Sequence, residues 1–144
     1  MISSLAPTLS DGFELDDDRD RIDRAAVHHY LCEESYWAAG RLREVMDELI
    51  ETAARVVGLY APDGSQVGFA RVVSDGHTVS YLADVYVLEE HRGRGLGVEL
   101  VRFSVDEGPF ARTKWFLQTR DAHDLYRKFG FGEPGDRVLD RRSR

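Results

Sequence analysis

His91-Arg92-Gly93-Arg94-Gly95-Leu96-Gly97-Val98 joins an apolar strand pattern over 78–88 to an apolar helix pattern over 96–105. Glycines at alternate positions let the backbone approach a ligand with no Cβ in the way. The helix start adds unpaired N–H groups at the positive end of its dipole. Arg92 and Arg94 bring charges that do not titrate away. Together these features predict a phosphate cradle. Two other glycine motifs are excluded. A P-loop needs Gly-Lys before Ser or Thr, and the chain has no Gly-Lys pair. The dinucleotide fingerprint needs glycine where the chain has Val98 and Leu100.

Downstream of the cradle, Leu96, Leu100 and Phe103 form one helical stripe, with Val98, Val101 and Val105 beside it, wide enough to pack on a sheet. Gly108-Pro109 ends that helix. Residues 114–119 read as a strand, 122–129 as a short helix stopped by Gly130, and 137–139 as an edge strand. Upstream, 55–61, 66–74 and 78–88 read as strands joined at Pro62-Asp63-Gly64 and Asp75-Gly76, an antiparallel meander whose third strand is longest and lies centrally. Before it, the helix from Arg41 buries Leu42, Val45, Met46, Leu49, Ile50 and Ala53. An earlier helix is capped by Asp20, with Asp23 three residues on, and buries Ile22, Ala26 and Tyr30. A short strand over 13–15 follows a mobile tail over 1–11. Tyr36 and Trp37, between the two helices, either cover the core edge or line an acceptor pocket. The expectation is one α+β domain over 1–144. Its three layers are a mixed, mostly antiparallel sheet and about four flanking helices, in the order β-α-α-β-β-β-α-β-α-β.

Composition narrows the function. A chain of 144 residues, 42% hydrophobic and 31% charged, fits one globular domain that needs no staples. No apolar run reaches the roughly 20 residues of a bilayer span, and the acidic start at 16–20 is unlike a signal peptide, so a cytoplasmic, non-membrane protein is expected. Cys32 is the single cysteine, which excludes an internal disulfide and a cysteine-rich zinc site. His28 and His29 are adjacent on a helix and cannot share a metal, so no metal is expected. The net charge of -7 argues against nucleic acid and suits a cationic substrate.

Val87-x-x-x-x-Arg92-x-x-Gly95-x-Gly97 resembles the pyrophosphate-binding motif of the GNAT superfamily of acyl-CoA-dependent N-acetyltransferases. A second segment, Ala122-His-Asp-Leu125-Tyr126-Arg-Lys-Phe129-Gly130-Phe131, is similar to that family's late Ala-x-x-Leu-Tyr-x-x-x-Gly-Phe element. The likeness spans roughly 12–131 and weakens after Gly132. It implies acetyl-CoA as donor and a primary amine, favoured as a small molecule, as acceptor, joined directly in a ternary complex. A homodimer is compatible with it.

The resemblance also implies roles. Backbone N–H groups over 94–98 (Arg94, Gly95, Leu96, Gly97, Val98), preceded by Arg92 and Gly93, would hold the pyrophosphate. Val85, Tyr86 and Val87 would pair with the pantetheine arm where the strand splays at a bulge. A backbone N–H there would face the thioester oxygen. Tyr126 would protonate the departing thiolate. Thr119 stands where the family often has asparagine, so that contact is not carried over. An alkylamine costs about 4.6 kcal/mol to deprotonate at pH 7, and Asp84, a carboxylate in an apolar strand, is the candidate base, with Tyr81 on the same strand or a water chain as alternatives. Tyr36 and Trp37 are the acceptor-side candidates. Competing expectations are acetylation of a protein N-terminus or lysine, and a non-catalytic acyl-CoA-binding module. A transfer-RNA-acetylating toxin is disfavoured by the acidic balance.

Overall fold

Aspartates close the two hairpins on which the sheet is built. Asp63 Oδ1 accepts from the Ser65 N–H at 2.9 Å, and Asp75 Oδ1 accepts from the His77 N–H at 2.9 Å. The computed structural model describes residues 7–143. Its strands are β1 (Glu14–Asp16), β2 (Arg55–Tyr60), β3 (Gln66–Ser74), β4 (Val79–Val87) and β5 (Lys114–Phe116), and they lie in that order across one sheet. The first three pairings are antiparallel and β4–β5 is parallel. The middle strand is therefore β3, and β4 lies one place from the edge.

Helices cover both faces. On one, α3 (Leu96–Val105) lays Leu96, Leu100, Val101 and Val105 over Leu59, Val67, Val72 and Leu82. On the other, α1 (Arg24–His29) and α2 (Arg43–Thr52) bury Val27, Met46 and Ile50 against Val56, Phe69 and Tyr86. Each such side chain contributes about 2 kcal/mol by leaving water, more than any propensity difference in these short helices. A fourth helix, α4 (His123–Arg127), completes the expected three-layer arrangement.

Several local expectations are corrected. The cap of α1 is Asp23, whose side chain accepts from the Ala26 N–H at 3.1 Å, while Asp18 caps a 3-10 turn at Arg19–Arg21. Asp23 caps the amide three residues on and Asp18 the one two residues on. A tertiary contact, the Asp23 N–H donating to Gln66 Oε1 at 2.7 Å, fixes the later one. Of the six residues of the α2 stripe, Leu42 and Val45 are exposed and the other four are covered. No strand forms at 137–139: Gly135–Arg137 makes a 3-10 turn and Leu139 is exposed. The three residues of β5 offer too little edge for a further strand to pair with. Of the expected tail, residues 1–6 lie outside the described residues. The remainder is tied down, with Thr8 bridging Glu14 and the Leu15 N–H donating to Pro7 C=O at 3.1 Å.

Arginines close the far ends of two helices. Buried Arg55 donates through Nε to Asp17 at 3.0 Å and through Nη1 to the carbonyls of Phe103 and Ser104 at 2.9 and 3.0 Å. It thereby satisfies acceptors that α3 leaves open. A Cβ on Gly108 would lie 2.1 Å from that Nη1, so a larger residue there would displace the guanidinium. Arg19 caps α2 in the same way through Ile50 O and Ala53 O. Arg55→Met should lower unfolding free energy by about 3 kcal/mol in urea titration, since it strands two carbonyls and a carboxylate. A loss below about 1 kcal/mol would show that the tie does not hold α3.

Candidate active site

Strand β4 outruns its parallel neighbour. Pairing with β5 ends at Tyr81 and Phe116, yet β4 continues to Val87 with that edge open. The Leu88 N–H donates to Val67 C=O at 2.8 Å on the β3 side. By strand alternation, the backbone groups of Val85 and Val87 then face the gap, and those of Tyr86 face β3. A bulge accompanies the opening: Ala83 pairs with Arg71 and Tyr86 with Phe69, so Asp84 and Val85 together oppose Ala70.

The gap leads into a cavity of about 500 Å³. Its floor is Val85, Tyr86 and Val87, and one end is Arg92, Gly93, Gly95, Leu96 and Gly97. Gly95 precedes α3 at φ 78°, a left-handed conformation suited to glycine, and no side chain caps the helix there. A Cβ built on Gly93, Gly95 or Gly97 would meet nothing within 4 Å. The space before these amides is thus open to a ligand, and the uncapped first turn offers its N–H groups to an anion. This end fits the pyrophosphate of an acyl-CoA.

The two arginines of the motif divide. Arg92 lines the cavity, donating through Nε to Val87 C=O at 2.8 Å and through Nη2 to Tyr30 Oη at 3.0 Å. It ties the strand end to the first helical segment. Arg94 does not line the cavity; its guanidinium lies 5.9 Å from the Phe13 ring centroid. Val98 lies outside the lining as well.

The opposite wall carries Tyr126, with Asp121, Ala122 and Leu125. The Tyr126 ring is buried and packs edge-on against Phe131 at 5.9 Å. Burial first, then the neighbouring Tyr36 and Asp121, push its hydroxyl up to about 12. The phenol therefore keeps its proton at neutral pH. Thr119 Oγ1 accepts from the Ala122 N–H at 3.1 Å, which steadies the approach to α4.

Tyr36 and Trp37 both line the cavity, edge to face with centroids 5.1 Å apart. The Arg120 guanidinium lies 3.7 Å from the Tyr36 ring centroid, and the Arg120 N–H donates to Tyr36 Oη at 3.1 Å. Asp84 lies behind the lining, where its carboxylate accepts from Trp37 Nε1, Arg41 Nη1 and Arg71 Nε.

Sequence reasoning missed Tyr30 and Glu34, which join the cavity from a π-helical turn at Tyr30–Glu34 that follows α1, and Ser35, which comes just after it. Such turns are rare and recur at functional sites, but periodicity does not reveal them. Tyr30 stacks on Tyr86 at 3.9 Å. No group of three or more His, Cys, Asp or Glu is placed to hold a metal among the described residues, where no helix is long and apolar enough to cross a membrane.

Residues 53–133 match the family model described as "Acetyltransferase (GNAT) domain". The chain belongs to the GNAT acetyltransferase family. A Xanthomonas campestris protein assigned to the GNAT family superposes with a TM-score of 0.85 at 32% identity, covering 91% of this chain and 93% of that one. A Deinococcus radiodurans protein described as an acetyltransferase, 23% identical with a TM-score of 0.72, shares the fold over 94% of this chain and 92% of its own. A Gibberella zeae protein described as an acetyltransferase is 35% identical over 68 residues, which are 45% of this chain and 38% of that protein. This GNAT chain thus matches well under half of that fungal relative's length.

The raised Tyr126 value has a stability consequence. The folded state favours the neutral phenol, so this contribution is complete below about pH 10 and is lost as pH rises towards 12. Buried Tyr60 and Tyr86 are raised too. Urea unfolding free energy should fall over that alkaline range, and Tyr126→Phe should make the fall shallower. An unchanged slope would show that the Tyr126 hydroxyl is not desolvated.

Proposed function

We propose that this chain is an N-acetyltransferase that takes acetyl-CoA as donor and a primary amine, favoured as a small molecule, as acceptor. The observation that supports it most is the continuity of one cavity. It runs from the uncapped, glycine-lined start of α3, along the open edge of β4, to the buried Tyr126 phenol.

In this reading, the first N–H groups of α3 and the Gly93 and Gly95 turns hold the pyrophosphate, with Arg92 beside them. Val85, and Val87 through its N–H, present their backbone to the pantetheine arm as a neighbouring strand would, the Val87 carbonyl being held by Arg92. An N–H on that edge stabilises the oxygen of the tetrahedral species as the amine attacks the thioester carbon. Tyr126 then gives its proton to the departing thiolate, a role for which a phenol protonated at neutral pH is suited. Tyr36 and Trp37 bound the acceptor. Glu34, exposed on the cavity wall, receives the amine's proton through solvent.

Calorimetric titration of acetyl-CoA tests the donor half. Gly97→Ala improves helix propensity by about 1 kcal/mol, so the fold should melt no lower. Its methyl enters open space before the cradle, and acetyl-CoA affinity should drop at least about tenfold, some 1.4 kcal/mol. Equal binding by both proteins would contradict the site. Thiol release across a panel of primary amines tests the chemistry. With any amine that turns over, Tyr126→Phe should lower kcat about 100-fold and leave acetyl-CoA binding intact. Unchanged kcat would remove Tyr126 from proton transfer.

A further inference from the structure

Asp84 is the one described non-glycine residue with a left-handed backbone, at φ 56°. An L-residue there costs about 1 kcal/mol, and aspartate is among the few that adopt it readily. The strained residue opens the bulge, and its side chain is 2% exposed. Three donors converge on it. Arg71 Nε reaches Oδ2 at 2.8 Å, Arg41 Nη1 reaches the same oxygen at 2.9 Å, and Trp37 Nε1 reaches Oδ1 at 3.0 Å.

These donors come from different parts of the molecule. Arg71 lies on β3, across the bulge, while Trp37 and Arg41 belong to the irregular segment between the π-helical turn and α2. Trp37 also lines the cavity. The carboxylate therefore ties the acceptor side of the cavity to the point where β4 opens for the donor. A general base needs a lone pair aimed at the substrate, but each oxygen here faces a fixed donor, and Asp84 does not line the cavity. A proton taken up by Asp84 would also weaken both guanidinium pairs.

We propose that Asp84 is a positioning residue whose carboxylate, held between Arg41 and Arg71, fixes Trp37 and sets the acceptor wall in register with the donor gap. The acceptor assignment rests on the acetyltransferase reading, whereas the clamp itself does not. Shared geometry makes its members act as a unit. Losing any one of them frees the Trp37 ring.

The test uses Trp37 as its own reporter. The chain has two tryptophans, so Trp115→Phe leaves Trp37 as the single emitter. In that background Asp84→Asn and Arg41→Gln should each raise acrylamide quenching of Trp37 about twofold, and the double variant should exceed neither single, as expected for coupled sites. Circular dichroism melting checks the fold. Should Asp84→Asn fail to fold, Arg41→Gln at the partly exposed end of the cluster still decides. Unchanged quenching in a folded variant overturns the clamp. With an amine found by thiol release, the clamp predicts an amine KM raised about tenfold, kcat within about threefold and an unaltered pH limb. A collapse of kcat with KM and quenching unchanged would instead make Asp84 the base. If no amine turns over, the acetyltransferase reading fails and the quenching result stands by itself.

Discussion

The site depends on one departure from regular pairing: β4 runs on, through the bulge at Asp84, after β5 has left it. A strand edge with unmatched N–H and C=O groups is costly when buried and invites another strand when exposed. Here it faces a cavity, and Val85 and Val87 supply the groups on that edge. The same divergence leaves room between β4 and α4, where Tyr126 lines the opening while its ring belongs to the core on that face of the sheet. Pairing with β5 beyond Tyr81 would close the cavity.

Holding such a gap open requires firm support around it. On the α3 side, Arg55 and Asp17 fasten the helix's far end, so its uncapped start stays aimed at the strand end. Arg92 fastens that strand end to Tyr30, and Tyr30 stacks on Tyr86 from the other layer. The Arg55 and Arg92 ties join distant parts of the chain through a guanidinium, whose fixed fork can engage two acceptors at once. The arginine-rich composition, 19 basic residues of which only Lys114 and Lys128 are lysine, acquires a structural use here.

What the sequence revealed was mostly what is local. The Gly93–Gly97 run declared itself because turn chemistry and helix starts are written in neighbouring residues, and 96–105 matches α3 end to end. Tyr126, Ala122 and Leu125 lay within one short motif. Asp84 was legible as an odd carboxylate in an apolar strand, but its backbone angle and its partners Arg41, Arg71 and Trp37 come from tertiary packing. Arg94 looked equivalent to Arg92 in sequence, and only the turn geometry sends it towards Phe13. Glu34 and Ser35 were hidden because a π-helical turn breaks the 3.6-residue period on which helix faces are counted. The strand expected at 137–139 failed for a related reason: propensity nominated it, but the outer edge of the three-residue β5 is too short to receive it.

One continuous surface, from the α3 start along the free edge of β4, is proposed to bind the donor through main-chain groups. Titration of the isotopically labelled protein with CoA, followed by backbone amide shifts, tests it most directly. The amides of Gly93, Gly95, Leu96 and Gly97 at the cradle, and of Val85 and Val87 on the strand, should move together with a single saturation curve. Tyr86, whose amide faces β3, should move less than its two neighbours. Shifts confined to the exposed Leu42 and Val45 side of α2, or a cradle that responds without the strand, would contradict it.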